Sequence, residues 1–125
     1  MDSVAWLEKG MVYVNGNAVR GLSSIPWTEH PKYSGVYIQS LFESSDSFSA
    51  MIVKMNPFAE IGNHIHEGKS ELHEVIYGEG IAEIDHNEVT YHPGIISCIP
   101  CDTTHRVTAA QNGLILFAKF FSAHN

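Results

Sequence analysis

The sequence predicts an all-β protein, arranged as a sandwich or a barrel. Short runs rich in β-branched and aromatic residues recur along the 125 residues, and turn-forming residues separate them. A helical period of apolar residues is hard to find, and the only helix candidate is a turn or two around residues 3–9. Strands at this spacing, without helices between them, are typical of sandwiches and barrels.

An N-terminal hairpin opens the predicted series of strands. Residues 12–14 and 18–20 flank Asn15-Gly16-Asn17, and an Asn-Gly step tolerates the positive φ angles of a hairpin turn. The later predicted strands are 35–42, 48–55, 62–66, 71–77, 81–85, 89–92, 95–99, 106–109 and 114–121. The predicted breaks include Ser44-Ser45-Asp46, Gly78-Glu79-Gly80 and Gln111-Asn112-Gly113.

Composition and charge narrow the class of protein. Hydrophobic residues make up 44% of the chain and charged residues 17%, which fits one compact domain over residues 1–125. Fourteen acidic residues against seven basic residues give a formal charge of −7, which repels phosphate backbones and anionic lipids. We therefore expect neither nucleic acid nor a membrane as a partner.

Two segments bear on where the protein resides. The apolar stretch at 114–121 is too short to span a bilayer and contains Lys119. The N-terminus carries Asp2 and Glu8 around a brief apolar stretch, and it lacks the basic leader of a signal peptide. We expect a cytoplasmic protein.

Three histidines and one glutamate form a candidate metal site. Residues two apart in a strand face the same side, so His64 and His66 project together. The link at 67–70 contains a glycine and can turn the chain, which brings Glu71 to the same face. His105 follows a later turn and supplies a fourth donor. This donor set suits one divalent transition metal ion (Fe, Mn, Ni, Zn or Cu) better than calcium or magnesium.

The spacing of these residues resembles the first cupin motif. That motif is written Gly, five residues, His-x-His, three or four residues, Glu, six residues, Gly. Here His64, His66, Glu71 and Gly78 match, and Phe58 stands at the first glycine.

The segment 94–109 resembles the second cupin motif, which is Gly, five residues, Pro-x-Gly, two residues, His, three residues, Asn. Gly94, Pro100 and His105 match, whereas Asp102 replaces the second glycine and Ala109 the asparagine. All four metal-ligand positions are filled, so the departures concern turns and packing.

The resemblance implies a double-stranded β-helix, also called a jelly-roll barrel, with the N-terminal hairpin added. The barrel core would span about 35–121, and residues 1–34 would supply the hairpin and an edge segment. Cupins often dimerise through an N-terminal strand, and exposed sheet edges favour pairing, so we expect a homodimer.

Strand parity places further residues relative to the site. His73 has the same parity as Glu71, so it would point into the barrel as a hydrogen-bond partner of a ligand or a general base, or simply pack there. We predict that His73 is the candidate catalytic residue. Glu74 has the opposite parity and is a weaker alternative ligand.

Other polar and aromatic residues receive structural interpretations. The remaining histidines are interpreted as structural or surface residues: His30, His86, His92 and His124. We expect six residues on neighbouring strands to fill the barrel rather than contact a ligand in its cavity, with the lysine on the outside: Tyr37, Gln39, Met51, Met55, Phe117 and Lys119. We expect a cluster of aromatic residues to cover a barrel edge or a dimer contact rather than a substrate: Trp27, Tyr33, Tyr37 and Phe42. Cys98 and Cys101 form a CxxC pair, but one pair is half of a four-cysteine zinc site.

Two functions fit this reading. The first is a metal-dependent enzyme acting on a small polar or carboxylate metabolite, as an oxygenase, isomerase or lyase. The alternative is a non-catalytic, metal-stabilised module that binds or senses a small molecule. Four protein ligands on an octahedral ion leave two positions open, which a purely structural metal does not need, and this favours the enzyme.

Overall fold

The computed structural model describes residues 5–43 and 47–122, and nearly all of its regular structure is β. A two-stranded sheet pairs β1 with β2, and an eight-stranded sheet runs in the order β3-β4-β5-β10-β7-β8, with β6 on β10 and β9 on β7. The elements are α1 (Trp6–Lys9), β1 (Met11–Val14), β2 (Asn17–Gly21), β3 (Thr28–Glu29), β4 (Val36–Glu43), β5 (Phe48–Met55), β6 (Glu60–His64), β7 (Lys69–Ile84), β8 (Asn87–Tyr91), β9 (Ile96–Ile99) and β10 (His105–Ser122).

The N-terminal hairpin is present, as its turn chemistry predicts. Asn15 and Gly16 have φ angles of 52° and 77°, so both central residues of the turn are left-handed. The helix candidate is reduced to the single turn of α1, and its first residues lie outside the described part of the chain. The predicted break at 44–46 also lies outside it. No helix of the described residues is long and apolar enough to cross a membrane.

Two long strands replace four predicted short ones. The predicted breaks at Gly78-Glu79-Gly80 and Gln111-Asn112-Gly113 are wrong, because β7 and β10 run through them while their register shifts between Ala109 and Leu114. The backbones come very close here: a Cβ on Gly78 would lie 2.1 Å from the Gly113 carbonyl oxygen. Glycine therefore allows a bend within a continuous strand.

The bend divides β7 and β10 between two layers of the barrel. The first part of β10 pairs with β6 and with the end of β7, whereas its second part pairs with β5 and the start of β7. The two layers bring β6, the start of β7 and the start of β10 together. All four predicted metal ligands lie on or beside these three segments.

The buried residues of the N-terminal segment pack on the outer face of the barrel. Alternation along β5 points Val53 and Met55 into the inner core and Ile52 outward, against an outer cluster with Leu22 and Ile115. The buried Gln39 side chain on β4 ties this segment down by donating to the carbonyl oxygens of Leu22 at 2.8 Å and Ile25 at 3.1 Å. Strand β3 pairs with β4 and lies at one end of the eight-stranded sheet.

Candidate metal centre

Four side chains bring one donor atom each to a common point. The Nε2 atoms of His64 and His66 are 3.1 Å apart, and Glu71 Oε1 lies 3.1 Å from His105 Nε2 and 3.4 Å from His66 Nε2. All four donor atoms lie within 4.8 Å of one another. Neighbouring donors held about 2.1 Å from one ion at right angles are about 3.0 Å apart. The spacing therefore fits a single transition metal ion.

Backbone carbonyls orient two of these imidazoles. His64 Nδ1–H donates to the Gly62 carbonyl oxygen at 2.7 Å, and His105 Nδ1–H donates to that of Thr103 at 2.9 Å. In a neutral ring, a proton on Nδ1 leaves the lone pair on Nε2, the atom that faces the other donors. Metal-binding histidines commonly have this arrangement, in which the second nitrogen is fixed by a carbonyl group.

Two buried atoms of the site lack a hydrogen-bond partner among the described residues. They are Glu71 Oε1 and His105 Nε2, which are close together but not aligned for a hydrogen bond. The residues are only 6% and 2% exposed. Leaving a buried polar atom unsatisfied costs about 1–3 kcal/mol, and a cation between these atoms would satisfy both. The residues present therefore fit a metal ion.

The electrostatics of the site favour a positive charge. Burial raises the pKa of the Glu71 carboxyl, but the neighbouring His105 and His73 rings lower it more, so that its pKa lies well below the usual value. Burial lowers the pKa of His105, but the Glu71 carboxylate and the Thr103 carbonyl raise it more. Burial is the main reason why the pKa values of His64 and His66 are lowered. The site thus combines an ionised carboxylate with two imidazoles that are neutral at neutral pH.

His73 links the glutamate to a buried tyrosine. Its Nε2 donates to Glu71 Oε2 at 2.5 Å, and its Nδ1 is 2.9 Å from the Tyr91 hydroxyl. Burial raises the pKa of Tyr91 to about 12, a rise opposed by a hydrogen bond from Ser97, so the hydroxyl stays protonated and can donate to His73. Both nitrogens of His73 are therefore engaged. Tyr91 was missed by the sequence analysis, since β8 carries no motif residue.

The two motif glycines that this sequence lacks are replaced by residues in left-handed conformations. Phe58 has a φ of 64° and Asp102 a φ of 62°. The Asp102 carboxylate accepts a hydrogen bond from the Gly68 amide at 3.1 Å, and the Asp102 amide donates to the His66 carbonyl oxygen at 3.3 Å. Asp102 therefore keeps the turn geometry and also connects the loop after His66 to the loop before His105. Strand β6 ends at His64, so His66 lies in this loop and not in the predicted strand.

The donors open into a cavity of about 370 Å³, called the metal cavity below. His73, Glu71 and His105 are buried at its deep end, whereas Lys32 is exposed and lies at its rim. The walls between are mainly apolar: Val36, Ile38, Met51, Val53, Ile61, Val107, Leu116 and Phe120. Small-molecule sites in proteins have this size and this character.

Other predicted positions fall on either side of the barrel wall. Glu74 faces outward and pairs with Lys119 at 2.8 Å, as the motif spacing predicts. Met51 does line the metal cavity, and so does Tyr33, which the sequence analysis placed at an edge or dimer contact. Those that do not line it are Tyr37, Gln39, Met55, Phe117 and Lys119.

The remaining histidines and both cysteines stand apart from the four donors. His30 lies at the rim of the metal cavity, which sequence reasoning did not indicate. His86 has a φ of 68° in a turn, and His92 is exposed; His124 lies outside the described residues. Cys98 is exposed, Cys101 is half-buried, and both are free thiols.

A known family model and several solved structures match this chain. A family model described as the cupin domain matches residues 51–117, more than half of the chain. None of the curated proteins compared matches the sequence. The structure of KdgF from Halomonas sp. has a TM-score of 0.74 at 18% identity, covering 93% of this chain and 96% of that one.

Two further solved structures share the fold. The cupin domain of Cnp3 from Schizosaccharomyces pombe has a TM-score of 0.74 at 14% identity, over 90% of this chain and 85% of that one. A predicted oxalate decarboxylase from Thermotoga maritima has a TM-score of 0.73 at 20% identity, over 80% and 95%. The family match, the barrel and the donor cluster agree. The chain therefore belongs to the cupin family.

Proposed function

We propose that the protein is a metal-dependent enzyme acting on a small polar or carboxylate-bearing metabolite. One observation carries the proposal: the four donors, of which Glu71 and His105 are buried, line a cavity of about 370 Å³ that reaches the surface. Structural metal sites are usually closed by four protein ligands in a tetrahedron, without a cavity leading to them. A divalent transition metal that takes six ligands keeps positions for substrate after three histidines and one glutamate.

The ion would supply Lewis-acid polarisation of a substrate oxygen. The chain's own residues prepare the site for this task. His73 holds Glu71 in a single orientation through its hydrogen bond, and the Tyr91 hydroxyl fixes the His73 ring. The mainly apolar walls lower the local dielectric constant, which strengthens polar interactions at the deep end.

Within this proposal His73 is a positioning residue. A general base needs a free lone pair close to the proton it removes. His73 directs one nitrogen to Glu71 and the other to Tyr91, so neither is free to take a proton from a substrate. The role of catalytic base is therefore the less favoured of the two roles considered for this residue.

The class of reaction stays open among oxygenase, isomerase and lyase. The Thermotoga maritima structure, described as a predicted oxalate decarboxylase, offers a precedent for a carboxylate substrate on this fold. One fold hosts many activities, so the precedent supports the class of substrate only.

A second candidate is a metal-stabilised module that binds or senses a small molecule without turnover. The engagement of both His73 nitrogens favours this candidate, because it removes the most obvious proton-transfer group from the site. The largely apolar walls are equally compatible with binding alone.

An assay of metabolite conversion distinguishes the two candidate functions. The metal content of protein purified without added metal is measured first, and the protein is then incubated with a metabolite mixture with and without oxygen. We expect conversion of a small acid by the native protein and by His92→Ala, whose histidine is exposed, and none by His105→Ala. Metal-loaded protein that binds a metabolite and converts none would contradict the enzyme and support the binding module.

A further inference from the structure

We propose that Lys32 makes the metal cavity selective for small organic acids that carry a second anionic group, above all dicarboxylates. The inference rests on the proposed function, because it assigns a substrate class to the same site. Lys32 is exposed and lies at the rim of the metal cavity, and the buried donors Glu71 and His105 lie at its deep end. A ligand that reaches from one to the other would meet both.

The segment that carries Lys32 is fixed by its own hydrogen bonds. The His30 amide donates to the Val36 carbonyl oxygen at 2.7 Å, which closes a loop between β3 and β4. The Lys32 amide donates to His30 Nδ1 at 3.0 Å, and the Gly35 amide donates to the Glu29 carboxylate at 3.2 Å. The backbone of this rim loop (residues 30–36) is therefore held beside the metal cavity.

The rim loop presents hydrogen-bond donors. Because His30 Nδ1 accepts a hydrogen bond, a neutral His30 ring carries its proton on Nε2 and offers an N–H group. The Lys32 ammonium lies 5.7 Å from the centre of the Tyr33 ring, which is part of the cavity wall. An ammonium and an imidazole N–H suit an anionic oxygen and not another cation.

The charges in the metal cavity lead to the same conclusion. Apart from histidines, only Lys32 and Glu71 carry a formal charge at neutral pH among the described residues that line it. The Glu71 carboxylate contacts the rings of His73 and His105. None of the described carboxylates lies within ion-pair distance of Lys32. Lys119, by contrast, is paired with Glu74 on the outside. Lys32 is thus an unpaired positive charge in a protein with a net charge of −7.

Two positive regions separated by apolar walls define the class of ligand. A bound divalent ion would carry two positive charges and Glu71 carries one negative charge, so the deep end would keep a net positive charge. Lys32 makes the rim positive as well. An acid with an anionic group at each end and a short hydrocarbon middle matches this pattern. A volume of about 370 Å³ admits a small metabolite of this kind.

Binding of glutarate and of its monoamide, which differ in one charge at nearly the same shape, tests the inference. Both are titrated calorimetrically into metal-loaded protein, and other dicarboxylates of three to six carbons are included for length. We expect the native protein to bind the best dicarboxylate about tenfold or more tightly than its monoamide, a preference that weakens with salt because Lys32 is exposed.

Lys32→Met keeps the aliphatic stem and removes the charge, and we expect it to bind acid and monoamide alike at unchanged metal content. Lys9→Met, at an exposed site on α1, is the matched control and should behave like the native protein. Retention of the dicarboxylate preference by Lys32→Met, or its absence from the native protein at every chain length, overturns the role of Lys32.

Failure of the proposed function has a different signature. In that case elemental analysis of the same samples shows no metal, or no metabolite is turned over, whatever the Lys32 comparison gives.

Discussion

Replacing Glu71 with glutamine tests the inward-facing register of β7 on which the metal centre depends. The carboxylate is buried and contacts His73 at 2.5 Å, His105 at 3.1 Å and His66 at 3.4 Å, so the variant keeps its shape but loses its charge. A hydrogen bond to a charged group contributes about 1.5–3 kcal/mol, and we expect a loss of this order in the free energy of unfolding. Replacing residues that only support a metal ligand costs 10–100-fold in affinity, so losing the ligand charge should cost at least about 100-fold.

Chelator competition measures the metal affinity, and Glu74→Gln is the matched control. Glu74 makes a partly exposed pair with Lys119 on the outer face, and such pairs contribute about 0–1 kcal/mol. The lowered pKa of Glu71 adds a pH signature: the ionised carboxylate stabilises the fold above the usual carboxyl pKa, and this stability is lost as the pH falls. The glutamine variant should lack that loss. If Glu74→Gln released the metal and Glu71→Gln kept it, the register and the site would be wrong.

Three further predictions concern pH, the buried tyrosine and assembly. Burial lowers the pKa values of His64 and His66, so both rings are neutral at neutral pH; metal occupancy should hold there and fall on acidification below about pH 6.5, as dialysis and elemental analysis would show. Occupancy unchanged down to about pH 4 would argue against histidine ligation. Tyr91→Phe leaves His73 without one partner, and chelator competition should show metal affinity weakened about tenfold or more; unchanged affinity would exclude Tyr91 from the support of Glu71. We propose that the chain forms a homodimer, because the hairpin of β1 and β2 exposes Met11, Tyr13, Val14 and Val19; light scattering at low micromolar concentration should give twice the chain mass, and a strict monomer would contradict it.

Local spacing was enough to group three of the four candidate donors, and the second motif resemblance supplied the distant His105. His64, His66 and Glu71 lie within eight residues, and the turn between them has its own signal in Gly68. The spacing of Glu71 from Gly78 also identified the inward face, which hydrophobicity alone left open because both faces of β7 carry apolar residues. The turn of the N-terminal hairpin follows from Asn15-Gly16 by the same local logic.

Features created by tertiary contact were not predictable in this way. Gly78 reads as a turn, yet its neighbours stay paired because β10 lies against the bend. Tyr91 reaches His73 only because β8 pairs with β7, and Lys32 reaches the metal cavity only because the rim loop lies beside the barrel opening. Tyr91 and Lys32 carry no periodic or motif signal that would indicate these contacts, and the motif position of Gly78 does not distinguish a turn from a bend within a continuous strand.

Metal content per chain tests the metal centre most directly. The protein is purified without added metal, and elemental analysis is applied to the native chain, His64→Ala, His105→Ala and the exposed-site control His92→Ala. We predict about one transition metal ion per chain in the native protein and in His92→Ala, since the donors form one cluster among the described residues. His64→Ala and His105→Ala should each lose most of it. Full occupancy in both of these variants would contradict the assignment of the site.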